Sequence, residues 1–177
     1  FSPSGVVPDR ARVRRAAKRL GAHGFAVTVD DSALARHQRF AGTDDDRLAA
    51  LHRIAQQGVQ GEACIAMATR GGYGLTRLLD RIDWKAIAHS IAHGTRWVGH
   101  SDMTTLQLGL LAQPKLGADA ITWAGPLAAD DFGRSEDADG LDEITRDCFL
   151  EAMSGALEAV GFRTEAGFDG LEARGTL

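Results

Sequence analysis

Apolar residues recur in two rhythms along the chain. From residue 10 to 20, Val13, Ala16, Ala17 and Leu20 fall on one helical stripe, and Arg10, Arg12, Arg14, Arg15, Lys18 and Arg19 fill the wet face. The spacing predicts a helix opened by Pro8 and Asp9 and closed by Gly21 and Gly24. "FAVTV", residues 25–29, is short and β-branched and predicts a strand. Residues 30–42 read as a polar loop. "TDDDRLAALHRIAQQG" then predicts a helix, with Thr43 as N-cap, acids in the first turn and Gly58 beyond the end. The acidic triplet suits helix capping better than a metal site.

The nearly continuous apolar run "EACIAMATR" predicts a strand buried on both faces, as in a parallel sheet, with Cys64 in the core. "GGYG" follows, then "LTRLLDRI" and a helix through "DWKAIAHSIAH". "RWVG" is the next strand, 102–112 the next helix, and "DAITWAG" another strand. Residues 127–140 read as a loop. "LDEITRDCFLEAMSGALEAVG" predicts a long helix with Ile144, Cys148, Met153, Leu157 and Val160 on one stripe, and "FRTEAG" the start of a further strand. Alternating strands and helices imply an α/β fold of flavodoxin-like type, an open, mainly parallel sheet with helices on both faces. The expected organisation is a domain over 1–160, linker helix included, with 161–177 beginning a second, truncated one.

Composition narrows this little. The 177 residues carry a net charge of −4, which argues against a dedicated nucleic-acid binder, and the arginines at 10–19 read as a solvated helix face. The two cysteines, Cys64 and Cys148, suggest neither a disulfide framework nor a zinc site, and fit a reducing, cytoplasmic setting. No apolar run reaches the roughly 18 residues needed to span a bilayer, and no signal peptide is recognisable.

In open parallel sheets, ligands bind beyond the carboxyl ends of the strands, where "TRGGYG" and "GHSD" fall. Gly99 permits a tight turn, and Ser101 then stands at a helix N-terminus, where backbone N–H groups favour developing negative charge. A serine so placed can attack a carbonyl if a base takes its proton, and the Asp102 N–H would meet the oxyanion. Position 103 is Met rather than the final Gly of G-x-S-x-G, and local physics prefers a Ser or Asp capping the helix. The glycine-rich turn lacks both the dinucleotide fingerprint and the P-loop Gly-Lys-Ser/Thr. It could donate N–H groups, Gly72's in particular, or be a plain tight turn. His89 and His93 stand i, i+4, but "HSIAH" lacks the metalloprotease glutamate and reads as surface or partly buried histidines. His100 beside Ser101 is a poor base, because adjacent residues at a tight turn seldom aim at each other.

Together these stretches resemble the serine LD-carboxypeptidases of murein recycling. "SPSG" resembles that family's first strand-turn, and "AGTDDDRLAALHRI" its G-T-x-x-x-R helix. "RGGYGLTRLLDRIDW" resembles its R-G-G-Y-G loop, "VGHSDMTTLQLGL" its nucleophile segment, and "ITWAGPL" its later T-x-x-G-P turn. The resemblance implies Ser101 as nucleophile, Asp102 and Gly72 as oxyanion donors, and Arg70, Gly71 and Tyr73 lining the site. It implies cleavage of the L,D bond to the terminal D-alanine of a cytoplasmic murein tetrapeptide, with no metal or cofactor. Relatives of microcin type, which degrade peptidyl-nucleotide antibiotics, share the nucleophile segment, and a non-catalytic α/β binding module is the third reading. The family's base is a histidine oriented by a glutamate, both from a smaller C-terminal domain. No histidine follows His100 here, so this chain is expected to be inactive without that domain. The resemblance also allows a homodimer without fixing the oligomeric state, and neither nucleic acid nor membrane is expected as partner.

Overall fold

The computed structural model describes residues 1–117, 119–138 and 140–159. Its centre is a three-stranded parallel sheet in chain order, formed by β1 (Ile65–Met67), β2 (Arg96–Gly99) and β3 (Trp123–Ala124). Ala66 stands beside Trp97, and Val98 beside Trp123. Helices α1 (Arg10–Ala22) and α2 (Asp44–Val59) precede the sheet. The crossovers carry α3 (Trp84–Ala92) and α4 (Met103–Leu111), and α5 (Glu143–Ser154) follows β3.

The two-residue period of a strand sorts the core into two layers. Ala66, Ala68 and Trp97 join Leu48 and Leu51 of α2, Ile87 of α3, and Leu106 and Leu110 of α4. Ile65, Met67, Val98 and Trp123 instead meet Ala16 and Leu20 of α1 and Phe149 and Met153 of α5. The sheet is thus open, parallel and covered on both faces, as the alternating pattern predicts. Trp97 is fully buried without an orphaned donor. Its Nε1–H reaches Ser90 Oγ at 2.9 Å, and Ser90 in turn donates to the Ile87 carbonyl at 2.7 Å.

Four of the five α-helices start on a side-chain cap. Asp9 accepts from Ala11 N, Asp83 from Ala86 N and Asp142 from Thr145 N, while Thr43 and Asp46 form a reciprocal capping box. The acidic triplet is therefore cap and ion pairs, with Asp44 held by Arg47 and Arg77. Helix α4 has no side-chain cap, although Ser-Asp precedes it.

Several sequence expectations need correction. "FAVTV" is not a strand, because among the described residues no neighbour pairs with its backbone. Cys64 is exposed rather than buried, and it lies in the bend just ahead of β1 rather than within the strand. The "DAITWAG" strand shrinks to two residues, and "LTRLLDRI" forms two 3₁₀ turns before α3 begins. Gly58 lies inside α2, and α1 runs on through Gly21. The long helix stops at Ser154, because Gly155 turns left-handed at φ +78°, and Ile144 points to solvent. Residues 127–140 contain a π-turn over Ala128–Phe132 and a 3₁₀ turn. Its carbonyls at Phe132, Gly133 and Arg134 are held by Arg19 and Arg15 of α1, so part of that basic face has structural partners. Val160 and the "FRTEAG" strand lie outside the described residues.

A partly buried ion pair ties the 30–42 loop to α2. Arg53 grips Asp30 with Nε at 2.7 Å and Nη2 at 2.8 Å, and Ser32 adds two bonds. Burial pushes the Asp30 carboxyl up, but the Arg53 and Ser32 bonds outweigh it, and the pKa falls from 3.8 to about 2. The bonds favour the charged form, so this stabilisation is full above about pH 4 and is lost as pH falls through 2. Asp30→Asn should cost about 2 kcal/mol at pH 7 by that shift. Urea melts should show the gap to the parent closing as pH is lowered toward 2, and a gap independent of pH would count against this account.

Candidate active site

The carboxyl ends of β1 and β2 place two loops side by side: residues 69–74 and residues 100–102. Ser101 is exposed and has φ +59°, the left-handed region that non-glycine residues seldom occupy. Its hydroxyl does not cap α4, whose first turn closes by backbone bonds from Met103, Thr104 and Thr105 to residues 100–102. Asp102 does not cap α4 either. Its carboxylate crosses to the neighbouring loop, where Oδ2 accepts from Leu75 N at 3.0 Å. The capping reading of Ser101 and Asp102 is therefore overturned, and the two side chains are left for other work.

Each glycine of the facing loop has its own reason. A Cβ on Gly71 would lie 2.7 Å from both Cβ and Oγ of Ser101, so only glycine lets the loops touch. Gly72, at φ +101°, packs on Gly5, whose N–H donates to the Gly71 carbonyl at 2.9 Å. Gly74, at φ +128°, leaves room for Arg47 and Phe40 beneath it. Among the described residues, the N–H groups of Gly71, Gly72 and Asp102 have no protein acceptor. Gly99 is needed for a different reason from the expected tight turn. It lies in β2, and a Cβ there would sit 2.8 Å from Met103 Cγ, so glycine lets α4 start close against the strand.

The base of the loop is Arg47, a fully buried arginine on α2. Nη1 donates to the Pro3 carbonyl at 3.0 Å, Nη2 pairs with Asp44, and the guanidinium stacks 4.8 Å from the Phe40 ring centroid. Sequence reasoning did not single it out as a support. Its signal was an arginine four residues before Leu51 on the apolar stripe of α2. The carboxylate of Asp102 carried no such signal, because its partner is distant in sequence.

The other candidates are placed as follows. Arg70 Nη1 donates to the Val6 carbonyl at 2.8 Å, and Nε lies 3.5 Å from Asp130. Tyr73 is 72% exposed beside the glycines. His100 Nδ1 is engaged by the Gly125 carbonyl at 3.0 Å, not by Ser101. His89 and His93 meet edge to face on the surface at the end of α3, outside these loops. Among the described residues, no His, Asp or Glu bonds Ser101 Oγ, and no three His, Cys, Asp or Glu side chains converge as metal ligands. None of the helices described is long and apolar enough to cross a membrane.

The Asp102 bond gives a direct test of loop coupling. Asp102→Ala should cost about 1.5–3 kcal/mol and speed amide exchange at Leu75. Asp102→Asn keeps an oxygen acceptor and should recover most of both. If the two substitutions behave alike, this hydrogen bond is not what joins the loops.

Chemically, this is an exposed hydroxyl on a strained turn, beside free N–H groups and a helix N-terminus. Such a constellation suits attack on a carbonyl and stabilisation of the resulting oxyanion. A Streptomyces coelicolor protein named as a carboxypeptidase is 35% identical over 133 residues, 72% of this chain and 39% of the relative. The crystal structure of muramoyltetrapeptide carboxypeptidase from Oxalobacter formigenes superposes with a TM-score of 0.71 at 35% identity, covering 87% of this chain and 47% of that one. A point mutant of the microcin C7 self immunity protein MccF in complex with adenosine monophosphate gives 0.72 at 26% identity, over 86% of this chain and 42% of that one. This chain thus spans less than half the length of each. Residues 1–119 match the family described as LD-carboxypeptidase N-terminal domain. The chain belongs to that family.

Proposed function

We propose that this chain is the nucleophile-bearing part of a serine LD-carboxypeptidase that removes the terminal D-alanine of murein tetrapeptides. The observation that carries the reading is Ser101 itself: left-handed, exposed, uncapped, and in contact with Gly71. Ser101 Oγ attacks the carbonyl carbon of the L,D bond while a base takes its proton. The negative charge developing on the carbonyl oxygen is met by the N–H groups of Asp102 and Gly72. The C–N bond breaks, D-alanine leaves with a proton returned to its nitrogen, and water hydrolyses the acyl-serine. Arg70, Gly71 and Tyr73 line the approach.

The base is a histidine held by a glutamate, supplied by a C-terminal domain that begins near residue 161. Without it the serine stays a weak nucleophile at neutral pH, so residues 1–177 alone are inactive. The working protein recycles cell wall in the cytoplasm and without a metal.

The likeness to MccF favours a second reading, hydrolysis of a microcin-type peptidyl nucleotide. The test is to give the full-length protein a murein tetrapeptide and, separately, an aminoacyl sulfamoyl nucleoside. D-Alanine release supports the first reading. Cleavage of the nucleoside conjugate alone overturns it for the second. If neither is cleaved and a fluorophosphonate leaves Ser101 unlabelled, the protein is a binding module.

A further inference from the structure

The chain that leaves β3 crosses the carboxyl end of β2, where β2 turns into Ser101, and comes to rest on the end of β1. Gly125 N still donates to the Gly99 carbonyl at 3.2 Å, and the Gly125 carbonyl meets His100 Nδ1 at 3.0 Å. Further on, the partner changes. Ala68 faces β2 and donates to the Val98 carbonyl at 3.0 Å. Because β2 ends at Gly99, the Ala68 carbonyl accepts from Ala128 N at 2.9 Å. Ala129 N then donates to the Thr69 carbonyl at 2.8 Å, and Ala129 is fully buried in a cluster with Val7 and Val13.

The next residue on each side carries a charge. Arg70 Nε lies 3.5 Å from Asp130 Oδ2, and Arg70 Nη1 donates to the Val6 carbonyl at 2.8 Å. The other Asp130 oxygen accepts from Arg12 Nη1 of α1 at 3.2 Å. The neighbouring Asp131 closes its own turn, with Oδ2 accepting from Leu127 N at 2.7 Å. Asp130 thus has each oxygen committed to a different element, and Arg70 joins two segments at once. The Arg70 and Asp130 side chains are 35% and 31% exposed, so their Coulomb attraction is small. A guanidinium adds geometry, because its donors are fixed relative to one another. Here it ties Val6 and the crossing segment to the residue just before Gly71 and Gly72. Gly5, next to Val6, holds the Gly71 carbonyl through its own N–H at 2.9 Å. The loop that faces Ser101 is therefore gripped at two successive residues.

We propose that Asp130 is a positioning residue for the Ser101 site: through Arg70 it fixes the loop that carries the Gly71 and Gly72 N–H groups, and the Arg70 guanidinium is a strut rather than a receptor for a substrate carboxylate. This rests on the reading of Ser101 as nucleophile, and adds to it a residue with no bond to the serine. The two roles of Arg70 have opposite consequences at Asp130. A receptor held by Asp130 is released by Asp130→Ala, and KM falls. A strut loses its anchor, and kcat falls while KM stays.

The test uses the full-length protein and two readouts. Asp130→Ala and Arg70→Ala should each lower kcat for D-alanine release by about tenfold or more, with KM within about twofold of the parent. The double variant should be no worse than either single one, since both remove the same link. Arg12→Gln should show the same pattern in smaller measure. The second readout needs no turnover: exchange of the Gly5 amide, which bonds the Gly71 carbonyl, should quicken about tenfold in Asp130→Ala and Arg70→Ala alike. Asp130→Asn keeps the shape and one acceptor, and should fall between the parent and Asp130→Ala in both readouts, which separates lost anchoring from a failure to fold. A lower KM or an unchanged kcat in Asp130→Ala overturns the proposal, as does a raised KM at constant kcat in Arg70→Ala. Unchanged Gly5 exchange in both variants overturns it too. If the parent releases no D-alanine, the nucleophile reading fails on its own, and Gly5 exchange still decides whether Asp130 anchors the loop.

Discussion

Ser101→Ala is expected to abolish D-alanine release by the full-length protein and to leave its melting temperature nearly unchanged. A nucleophile acting with a base is lost as a unit, so kcat should fall by about 10⁴-fold or more. The fold should not notice, because Ser101 Oγ makes no hydrogen bond among the described residues and the side chain is exposed. Ser101→Gly sharpens the test. It removes the same hydroxyl and also relieves the left-handed backbone at φ +59°, so it should be equally inactive yet more stable by about 1 kcal/mol. Turnover is read by D-alanine release and stability by urea unfolding. If Ser101→Ala retained ordinary turnover, the assignment of the nucleophile would be wrong. If Ser101→Gly gave no gain in stability, the strained turn would not be the device that presents the hydroxyl.

That strain marks the boundary of what the sequence discloses. Caps at Asp9, Thr43, Asp83 and Asp142 are local, since each side chain bonds a backbone N–H two or three residues on. Helix positions were therefore legible, as was β2, which has helices on both sides to cover it. Asp102 has the same local signature as those caps and a different fate, because Leu75, 27 residues earlier, competes for its carboxylate. No local pattern reveals such a competitor. Strands fail for a related reason. "FAVTV" has the composition of a strand, yet a strand exists only where another backbone pairs with it. Cys64 fails for another reason: the apolar run around it outlasts the strand, and Cys64 falls in the bend ahead of β1. The site was legible at the level of which loops meet. Which glycine touches the serine was not, since that depends on the contact between the two loops.

Gly71→Ala is accordingly expected to damage the site more than its size suggests. The new methyl would stand 2.7 Å from Ser101 Cβ and Oγ, a separation that requires one of the loops to move. Both are pinned. Gly5 N holds the Gly71 carbonyl, and Asp102 holds Leu75. Gly71 is not at positive φ, so alanine suits its backbone and the whole effect comes from space. Overpacking of this kind costs about 1–3 kcal/mol. A displacement of about an ångström at a reacting group costs about 10²-fold in rate, so kcat/KM for D-alanine release should drop by at least that much. The cause can be isolated by a double-mutant cycle on stability. With Ser101→Gly in the background, the methyl has no Cβ or Oγ to strike, and Gly71→Ala should become nearly neutral. Gly72→Ala should behave differently. Its cost comes from φ +101° and from Gly5, and it should be the same with serine or glycine at 101. Additivity between Gly71→Ala and Ser101→Gly would mean that the two loops do not bear on each other at this point, and the geometric case for a site between them would go with it.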